Sequence, residues 1–196
     1  MCLNGSVTTT ENPTTRSRLI DAAEELLLTR RYDAVSVRGI CARAGANVSA
    51  VHYHFGSKEN LVAALLEERL APLWAHPIDG VLSGPYDVAD LVNAIWAPMR
   101  ELQHDRAGAL RLSLLARFVL ARPDTAWSTR WFQLDSWAGA LTESVPGLSL
   151  DQARRRWQLA FTLLLSRLAE PGPMTPESAE SLRRFLVAGL GDPLTG

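Results

Sequence analysis

Residues 36–58, SVRGICARAGANVSAVHYHFGSK, carry most of the side chains in this sequence whose types and spacing could support chemistry. His52 and His54 are potential metal ligands, but residues two apart on a helix diverge by about 200° and no further ligand is close in sequence. Cys41 is a potential nucleophile, but it lies on an inward face without a general base in view. The chemistry left to this stretch is hydrogen bonding by small polar side chains.

Two short helices around a tight turn would position these side chains. Ser36 is a suitable N-cap for the first helix, because its hydroxyl can accept a hydrogen bond from a free amide of the first turn. Val37, Ile40 and Cys41 then recur at helical spacing and give an inward face. Gly45 can end this helix, since glycine adopts positive φ at little steric cost.

The second helix follows at once. Asn47 can cap it, and Val51 and Phe55, four residues apart, turn its apolar side to the core. Gly56 ends it, and Ser57 caps the next helix. Two helices joined by a glycine-containing turn, the second one small and polar on its outer face, are typical of a helix-turn-helix that enters the major groove of DNA.

The same residues resemble the N-terminal domain of the tetracycline-repressor (TetR) family of bacterial regulators over residues 16–70. The matching pieces are R-L-I-D-A-A-E-E-L-L at 18–27, Y-D-A-V-S-V-R-G-I-C-A-R-A-G at 32–45 and V-H-Y-H-F-G-S-K-E-N-L at 51–61. The last piece, an aromatic-rich helix end that runs into a Ser-Lys-Glu-capped helix, is the most specific. The resemblance covers under a third of the chain and implies a regulator that binds a double-stranded DNA operator.

The candidate DNA contacts combine this resemblance with the residue types. Ser49 and Ala50 are small enough for close approach, and serine can hydrogen-bond to either type of base pair. The resemblance places Arg38 within reach of a guanine edge and puts Tyr53, His54 and Lys58 on the DNA backbone. Lys58 also lies at a helix N-terminus, whose free amides favour an anion. The full set is Arg38, Asn47, Val48, Ser49, Ala50, His52, Tyr53, His54 and Lys58.

Charge gives no global signal for nucleic acid. The formal net charge is −1, and residues 1–70 contain eight Lys or Arg against eight Asp or Glu. Any basic surface must therefore be local. Lys58 is the only lysine of the chain, which suits either a GC-rich genome or a phosphate contact. The neutral charge keeps open a second interpretation, a ligand-binding or scaffolding dimer that does not bind DNA. A third interpretation, a helical enzyme, has no support because the sequence offers no nucleophile–base arrangement.

Composition predicts a cytoplasmic protein without a cofactor or metal. Its hydrophobic content of 47% supports a sizeable core. Cys2 and Cys41 lie far apart, which argues against a disulfide or metal pair and fits a reducing compartment. No apolar run approaches the roughly 18–20 residues needed to span a bilayer, and the first residues lack the pattern of a secretion signal.

Helical periodicity continues to the end of the chain, so the predicted fold is all-α. We expect an N-terminal arm at 1–13, a three-helix DNA-binding domain at 14–56, a connecting helix at 57–72 and a ligand-binding and dimerisation domain at 73–196. The connecting helix meets Pro72 at the start of a stretch rich in proline and glycine. In the TetR family this helix transmits ligand binding to the DNA-binding domain.

Within the C-terminal domain, Ser149 and Gln152 form a predicted capping box, and Pro176 occupies the favoured first position of the last helix. The predicted helices cover residues 87–105, 107–121, 126–145, 149–170 and 175–190.

All six tryptophans lie between residues 74 and 157, a heavy load for core packing alone. Indole N–H groups suit a pocket in which they orient a ligand. We therefore predict a cavity for a small apolar or aromatic effector. Its expected lining is Trp96, Met99, Leu114, Phe118, Trp131 and Phe132.

The last two helices are the predicted dimer interface, because the corresponding pair in the TetR family packs against its copy as a four-helix bundle. Two recognition helices in neighbouring major grooves would then read a near-palindromic operator. The interpretation is a homodimeric repressor released by its effector, with activation as the open alternative. The interface candidates are Trp157, Phe161, Leu164, Leu168, Leu182, Phe185 and Leu186.

Overall fold

The structure, a computed structural model, describes residues 14–170, 172 and 174–192. Within these residues there is no β-strand, so the predicted all-α fold is confirmed. The predicted arm at 1–13 lies outside the described residues. None of the described helices is long and apolar enough to cross a membrane. The helices are α1 (Thr15–Leu27), α2 (Val37–Ala44), α3 (Ser49–Phe55), α4 (Lys58–Leu82), α5 (Val88–Gln103), α6 (Arg106–Ala121), α7 (Leu134–Ser144), α8 (Leu150–Ala169) and α9 (Pro176–Gly191).

The chain divides into two units, the first of which ends at Val62. Helices α1, α2 and α3 build the core of this first unit. Leu19, Ile20, Ile40 and Val51 have no exposed surface there. These four residues lie on the apolar sides of amphipathic helices, so local sequence and burial agree at these positions.

Helix α4 is longer than the sequence predicts. The connecting helix was expected to end at Pro72, whereas α4 continues through Pro72 and Pro77 to Leu82. An interior proline costs about 3 kcal/mol. Trp74 and Ile78, 5% and 0% exposed, lie on the buried side of the extension, and burying each large apolar side chain contributes about 1.5–3 kcal/mol. The predicted end is wrong because burial of the extended helix compensates for the prolines.

The second unit contains α5 to α9 and an aromatic core. The rings of Trp157 and Phe161 stack with their centroids 5.0 Å apart, and Trp137 contacts both. Capping boxes begin α5 at Asp87 and α8 at Ser149. The second of these was predicted from the sequence and is confirmed.

The helix predicted at 126–145 is shorter in the structure. A short 3₁₀ helix, Arg130–Phe132, precedes α7, and residues 126–129 are not helical. The backbone N–H groups of Ser128 and Thr129 donate to the carboxylate of Glu67, at 2.6 and 2.7 Å. A side chain of α4 therefore satisfies two backbone N–H groups of this non-helical segment.

We expect Gly108→Ala to destabilise the second unit and Gly139→Ala to leave it at least as stable. A methyl group at Gly108, in the first turn of α6, would collide with the carbonyl oxygen of Leu102, and overpacking costs about 1–3 kcal/mol. A methyl group at Gly139 meets no atom within 4 Å outside its own helix, and alanine gains about 0.5–1 kcal/mol over glycine in a helix interior. Urea unfolding of both variants measures the difference. Equal midpoints would contradict the close approach of α5 and α6.

Candidate functional site

The turn between α2 and α3 sets the direction of the third helix. The hydroxyl of Ser36 accepts the N–H of Gly39 at 3.1 Å and begins α2. Gly45 ends α2 with a φ of +61°, a conformation that side chains with a Cβ adopt only with strain. Cys41 and Val51 face the core, 1% and 0% exposed. Burial of these two residues leaves the opposite side of α3 to solvent.

Helix α3 presents the small polar face that the sequence predicts. The side-chain oxygen of Asn47 accepts the N–H of Ser49 at 3.2 Å and supports the first turn. Tyr53 is 85% exposed, and Ala50 is half-buried. The exposed members of the predicted set in this region are Asn47, Val48, Ser49, His52, Tyr53 and His54.

Two local contacts restrain this face. Nδ1 of His52 lies 2.9 Å from the carbonyl oxygen of Gly56, the residue that ends α3. The ring of His54 meets the ring of Tyr53 edge-on, with centroids 4.9 Å apart. The contact with His54 reduces the rotamer freedom of the Tyr53 phenol, so less entropy is lost when that phenol binds a partner.

Some of the basic side chains around α3 have partners within the chain. Nζ of Lys58 donates to the carbonyl oxygen of Tyr32 at 2.8 Å and lies 3.8 Å from the centroid of its ring. Arg43 forms an ion pair with Glu25. Arg38 is exposed in the first turn of α2. Lys58 therefore anchors the segment before α2 in addition to standing at the start of α4.

The structure shows the surroundings of the candidate metal ligands and of the thiol in the helix-turn-helix. In the described part of the chain, no group of three or more His, Cys, Asp or Glu side chains could hold a metal ion. Burial raises the pKa of the Cys41 thiol, with a hydrogen bond from the backbone of Val51 acting in the opposite direction. The thiol therefore stays protonated at neutral pH, and a protonated thiol is a poor nucleophile.

The second unit contains a cavity of about 630 Å³, within the range of small-molecule sites. The described residues that line it include no Asp, Glu, Lys or Arg. Its polar side chains are Thr125, Gln133, Gln158 and Thr162. Six aromatic rings form much of the remaining wall, those of Trp74, Trp127, Trp131, Phe132, Trp137 and Phe161.

Met99, Trp131 and Phe132 were predicted to line a cavity and do so. Four aromatic lining residues were missed, namely Trp74, Trp127, Trp137 and Phe161. Trp74 was assigned to a segment thought to be broken by prolines, and Trp127 to a continuous helix. The clustering of tryptophans was the available signal for both, but it could not rank individual residues.

Trp96, Leu114 and Phe118 do not line the cavity. Trp96 borders a separate, much smaller cavity. Phe118 is buried with its ring centroid 6.1 Å from that of Trp127, so it supports the wall from behind. Leu114 precedes the lining residue Leu115, and neighbouring helical residues point about 100° apart.

The predicted interface residues on α8 and α9 divide into two groups. Phe161 and Leu182 are half-buried, and Phe185 is 65% exposed. The remaining four serve the core of the chain itself, at most 6% exposed, and offer little surface to a second copy: Trp157, Leu164, Leu168 and Leu186.

Two exposed leucines on α8 were missed by the sequence analysis. Leu159 is 72% exposed and Leu163 is 40% exposed. They are four residues apart and therefore share one face of the helix. The prediction followed the longer stripe through Trp157 and Leu164, which the structure uses internally.

The first unit, three helices of which the third has an exposed polar face, has the architecture of a helix-turn-helix domain. Residues 19–65 match the model of a family described as bacterial regulatory proteins, tetR family. The N-terminal unit thus matches the model of this family, and the predicted resemblance is confirmed.

A curated relative shows the same similarity at the level of sequence. Over 87 residues the chain is 30% identical to the HTH-type transcriptional regulator UidR of Escherichia coli. The aligned residues make up 43% of this chain and 44% of UidR. The match thus spans less than half the length of UidR.

Solved structures extend the likeness of fold to nearly the whole chain. The TetR family repressor AlkX from a Dietzia species has a TM-score of 0.56 at 19% identity, covering 90% of this chain and 95% of that chain. The multidrug binding protein EbrR, crystallised with imidazole, has a TM-score of 0.62 at 22% identity, covering 94% and 99%. At these identities the comparison concerns the fold.

Alanine substitutions should separate the lining of the cavity from the core behind it. Trp137 is 3% exposed and its indole N–H donates to the carbonyl oxygen of Trp131 at 2.9 Å, so Trp137→Ala should cost about 3–5 kcal/mol of unfolding free energy. Trp127 is only half-buried, and Trp127→Ala should cost less than half as much while weakening binding of the fluorescent aromatic probe N-phenyl-1-naphthylamine. Urea unfolding and probe titration give the two readouts. Equal losses of stability would place Trp127 in the core.

Proposed function

We propose that the protein is a transcriptional repressor that binds a near-palindromic DNA operator as a homodimer and is released by a small uncharged effector. The observation that carries the proposal is the exposed polar face of α3 within a segment that matches the tetR family. Repression is the sign that we favour, and activation is the alternative.

In the proposed complex α3 lies in the major groove. Ser49 and Ala50 approach base edges, and Arg38 reaches a neighbouring base from the start of α2. Tyr53, His54 and Lys58 contact phosphates and fix the register of the helix without reading sequence. The balanced charge of residues 1–70 is compatible with this, because a few positioned contacts can replace a broad basic surface.

The proposed dimer uses the apolar surface of α8 and α9. Leu159, Leu163 and Phe185 are all exposed in the single chain, and water contact with such side chains is unfavourable. A two-fold interface places the same surface of each copy against the other. Dimerisation would bring two α3 helices to half-sites about 34 Å or a multiple of that apart.

The proposed effector is apolar or aromatic and carries no charge. A charged ligand would lose hydration without gaining an ion-pair partner from the described lining, which is strongly unfavourable. The four polar side chains of the wall could orient a neutral ligand through one or two hydrogen bonds. Two structural neighbours fit such a role, since AlkX is a repressor and EbrR is a multidrug binding protein.

The effector would act by population shift. It binds one state of the dimer more tightly, and the other state holds the recognition helices at the spacing of the operator. An effector with equal affinity for both states would release nothing.

A second function, a ligand-binding dimer without DNA binding, has one observation in its favour. Lys58 and Arg43, two of the few basic residues of the first unit, already have partners within the chain. Fluorescence anisotropy on the DNA upstream of the gene separates the two functions. A saturable, salt-dependent complex with two chains per site supports the regulator, and a folded dimer that ignores this DNA at low salt supports the alternative.

Lys58→Ala and Ser49→Ala should weaken DNA binding in different ways. Loss of Lys58 should reduce affinity for all sequences and lower the salt slope by about one, because one phosphate contact disappears. Loss of Ser49 should change the preference among operator variants and leave the salt slope unchanged. Anisotropy titrations at several salt concentrations measure both.

Arg31→Ala, at an exposed residue outside the proposed interface, is the matched control for removal of a positive charge. A salt slope equal to that of the wild type in Lys58→Ala would remove Lys58 from the phosphate contacts. Thermal unfolding of the same variant tests whether the contact with Tyr32 has been lost as well.

Charged substitutions on α8 and α9 should dissociate the dimer. Leu159→Glu or Phe185→Glu places like charges on both sides of the proposed interface, and we expect the dimer dissociation constant to rise at least about 100-fold, or about 2.7 kcal/mol. Leu110→Glu on α6, where the leucine is 37% exposed, is the control. Analytical ultracentrifugation reports the mass, and a dimer that survives both changes would move the interface elsewhere.

A further inference from the structure

Glu67 is a buried carboxylate whose hydrogen bonds all come from one segment. Its side chain lies on α4 and the residue is 9% exposed. Oε1 accepts the backbone N–H groups of Ser128 and Thr129 at 2.6 and 2.7 Å. Oε2 accepts the hydroxyl of Ser128 at 2.6 Å. Three donors on two adjacent residues therefore hold one charge.

The chemistry of these contacts makes them hard to break singly. A hydrogen bond to an ionised acceptor is about twice as strong as one between neutral groups. Because Glu67 is only 9% exposed, a carboxylate that loses these donors regains only part of its hydrogen bonding from water. Residues 128 and 129 should therefore move together with Glu67, and hence with the backbone of α4.

The segment that Glu67 holds is also part of the cavity wall. Residues 122–129 connect α6 to the 3₁₀ helix and include the lining residues Thr125 and Trp127. The side-chain amide of Gln133 donates to the carbonyl oxygen of Trp127 at 3.0 Å and closes the segment on itself. A ligand that displaces the Trp127 ring therefore displaces the residues bonded to Glu67.

Helix α4 also lines the cavity directly, through Trp74. Trp74 is seven residues after Glu67, which places both on the same side of the helix about two turns apart. Its ring lines the cavity and meets that of Phe132 with centroids 5.9 Å apart. At its other end α4 begins at Lys58, one of the proposed phosphate contacts.

We infer that Glu67 is a positioning residue for the effector response: it links the wall of the cavity to α4, so that ligand entry and DNA release are coupled through its three hydrogen bonds. The inference rests on the proposed function. The inference adds to that function the residue through which the two sites are coupled. In this inference Glu67 contacts neither the DNA nor the interior of the cavity.

Glu67→Gln tests the inference with little change in shape. The amide keeps one acceptor oxygen but presents N–H groups where the carboxylate accepted hydrogen bonds. The experiment measures the affinity for the upstream DNA by anisotropy, with and without saturating N-phenyl-1-naphthylamine, and separately the affinity for this probe. In the wild type the probe should weaken DNA binding by about 5- to 150-fold, the usual range of allosteric coupling.

In Glu67→Gln we expect both separate affinities to stay within about threefold of the wild type and the effect of the probe on DNA binding to fall below about twofold. Ser128→Ala, which removes only the hydroxyl donor, should give an intermediate effect and keeps the test available if Glu67→Gln folds poorly. Glu68→Gln, the same change at the exposed neighbouring position, is the matched control and should behave as the wild type.

Each other outcome overturns a different claim. Wild-type coupling in both Glu67→Gln and Ser128→Ala would remove the link through Glu67 and leave the proposed function intact. Loss of probe binding in Glu67→Gln would make Glu67 only a support of the cavity wall. A wild type that binds DNA but does not bind the probe, or does not respond to it, would remove the aromatic-effector half of the proposed function together with this inference.

Discussion

The buried stripe of α4 is the constraint on which much of the second unit depends. Leu66, Leu70, Trp74 and Ile78 follow one another at four-residue intervals and are at most 5% exposed. Because this stripe must stay out of water, the helix continues past two prolines, and its neighbour Glu67 carries a charge into the interior. That charge then shapes the segment before α7. The apolar stripe of α4 is thus connected to the length of this helix, to the burial of Glu67 and to the part of the cavity wall that Glu67 holds.

The two units solve different recognition problems with different chemistry. In the first, the proposed contacts come from an exposed face of small and polar side chains, since hydrogen bonds and phosphate contacts are made best by groups that already face water. In the second, the described lining of the cavity contains no charged side chain and much of its wall is aromatic, which suits a ligand that leaves water readily. The proposed regulator needs both kinds of surface on one chain, and α4 contributes residues to both units.

The local features of the fold were predictable because they depend on near neighbours in sequence. Ser36 and Ser149 cap their helices, and Gly45 adopts positive φ, as their residue types indicate. Features that depend on distant partners were not predictable. The segment at 126–129 was predicted to be helical but is not, and the N–H groups of Ser128 and Thr129 donate instead to Glu67, some sixty residues earlier. The passage of α4 through Pro72 likewise depends on burial that no local propensity contains.

The sequence by itself determined the all-α class, the helix-turn-helix and the resemblance to the tetR family, because each depends on periodicity, caps and motifs read within a few tens of residues. It also indicated an aromatic cavity from the number of tryptophans. Only the tertiary structure decided which rings line that cavity and which apolar residues of α8 remain exposed. A helix presents several apolar directions at once, and the choice between core, cavity and surface is made by the elements packed against it.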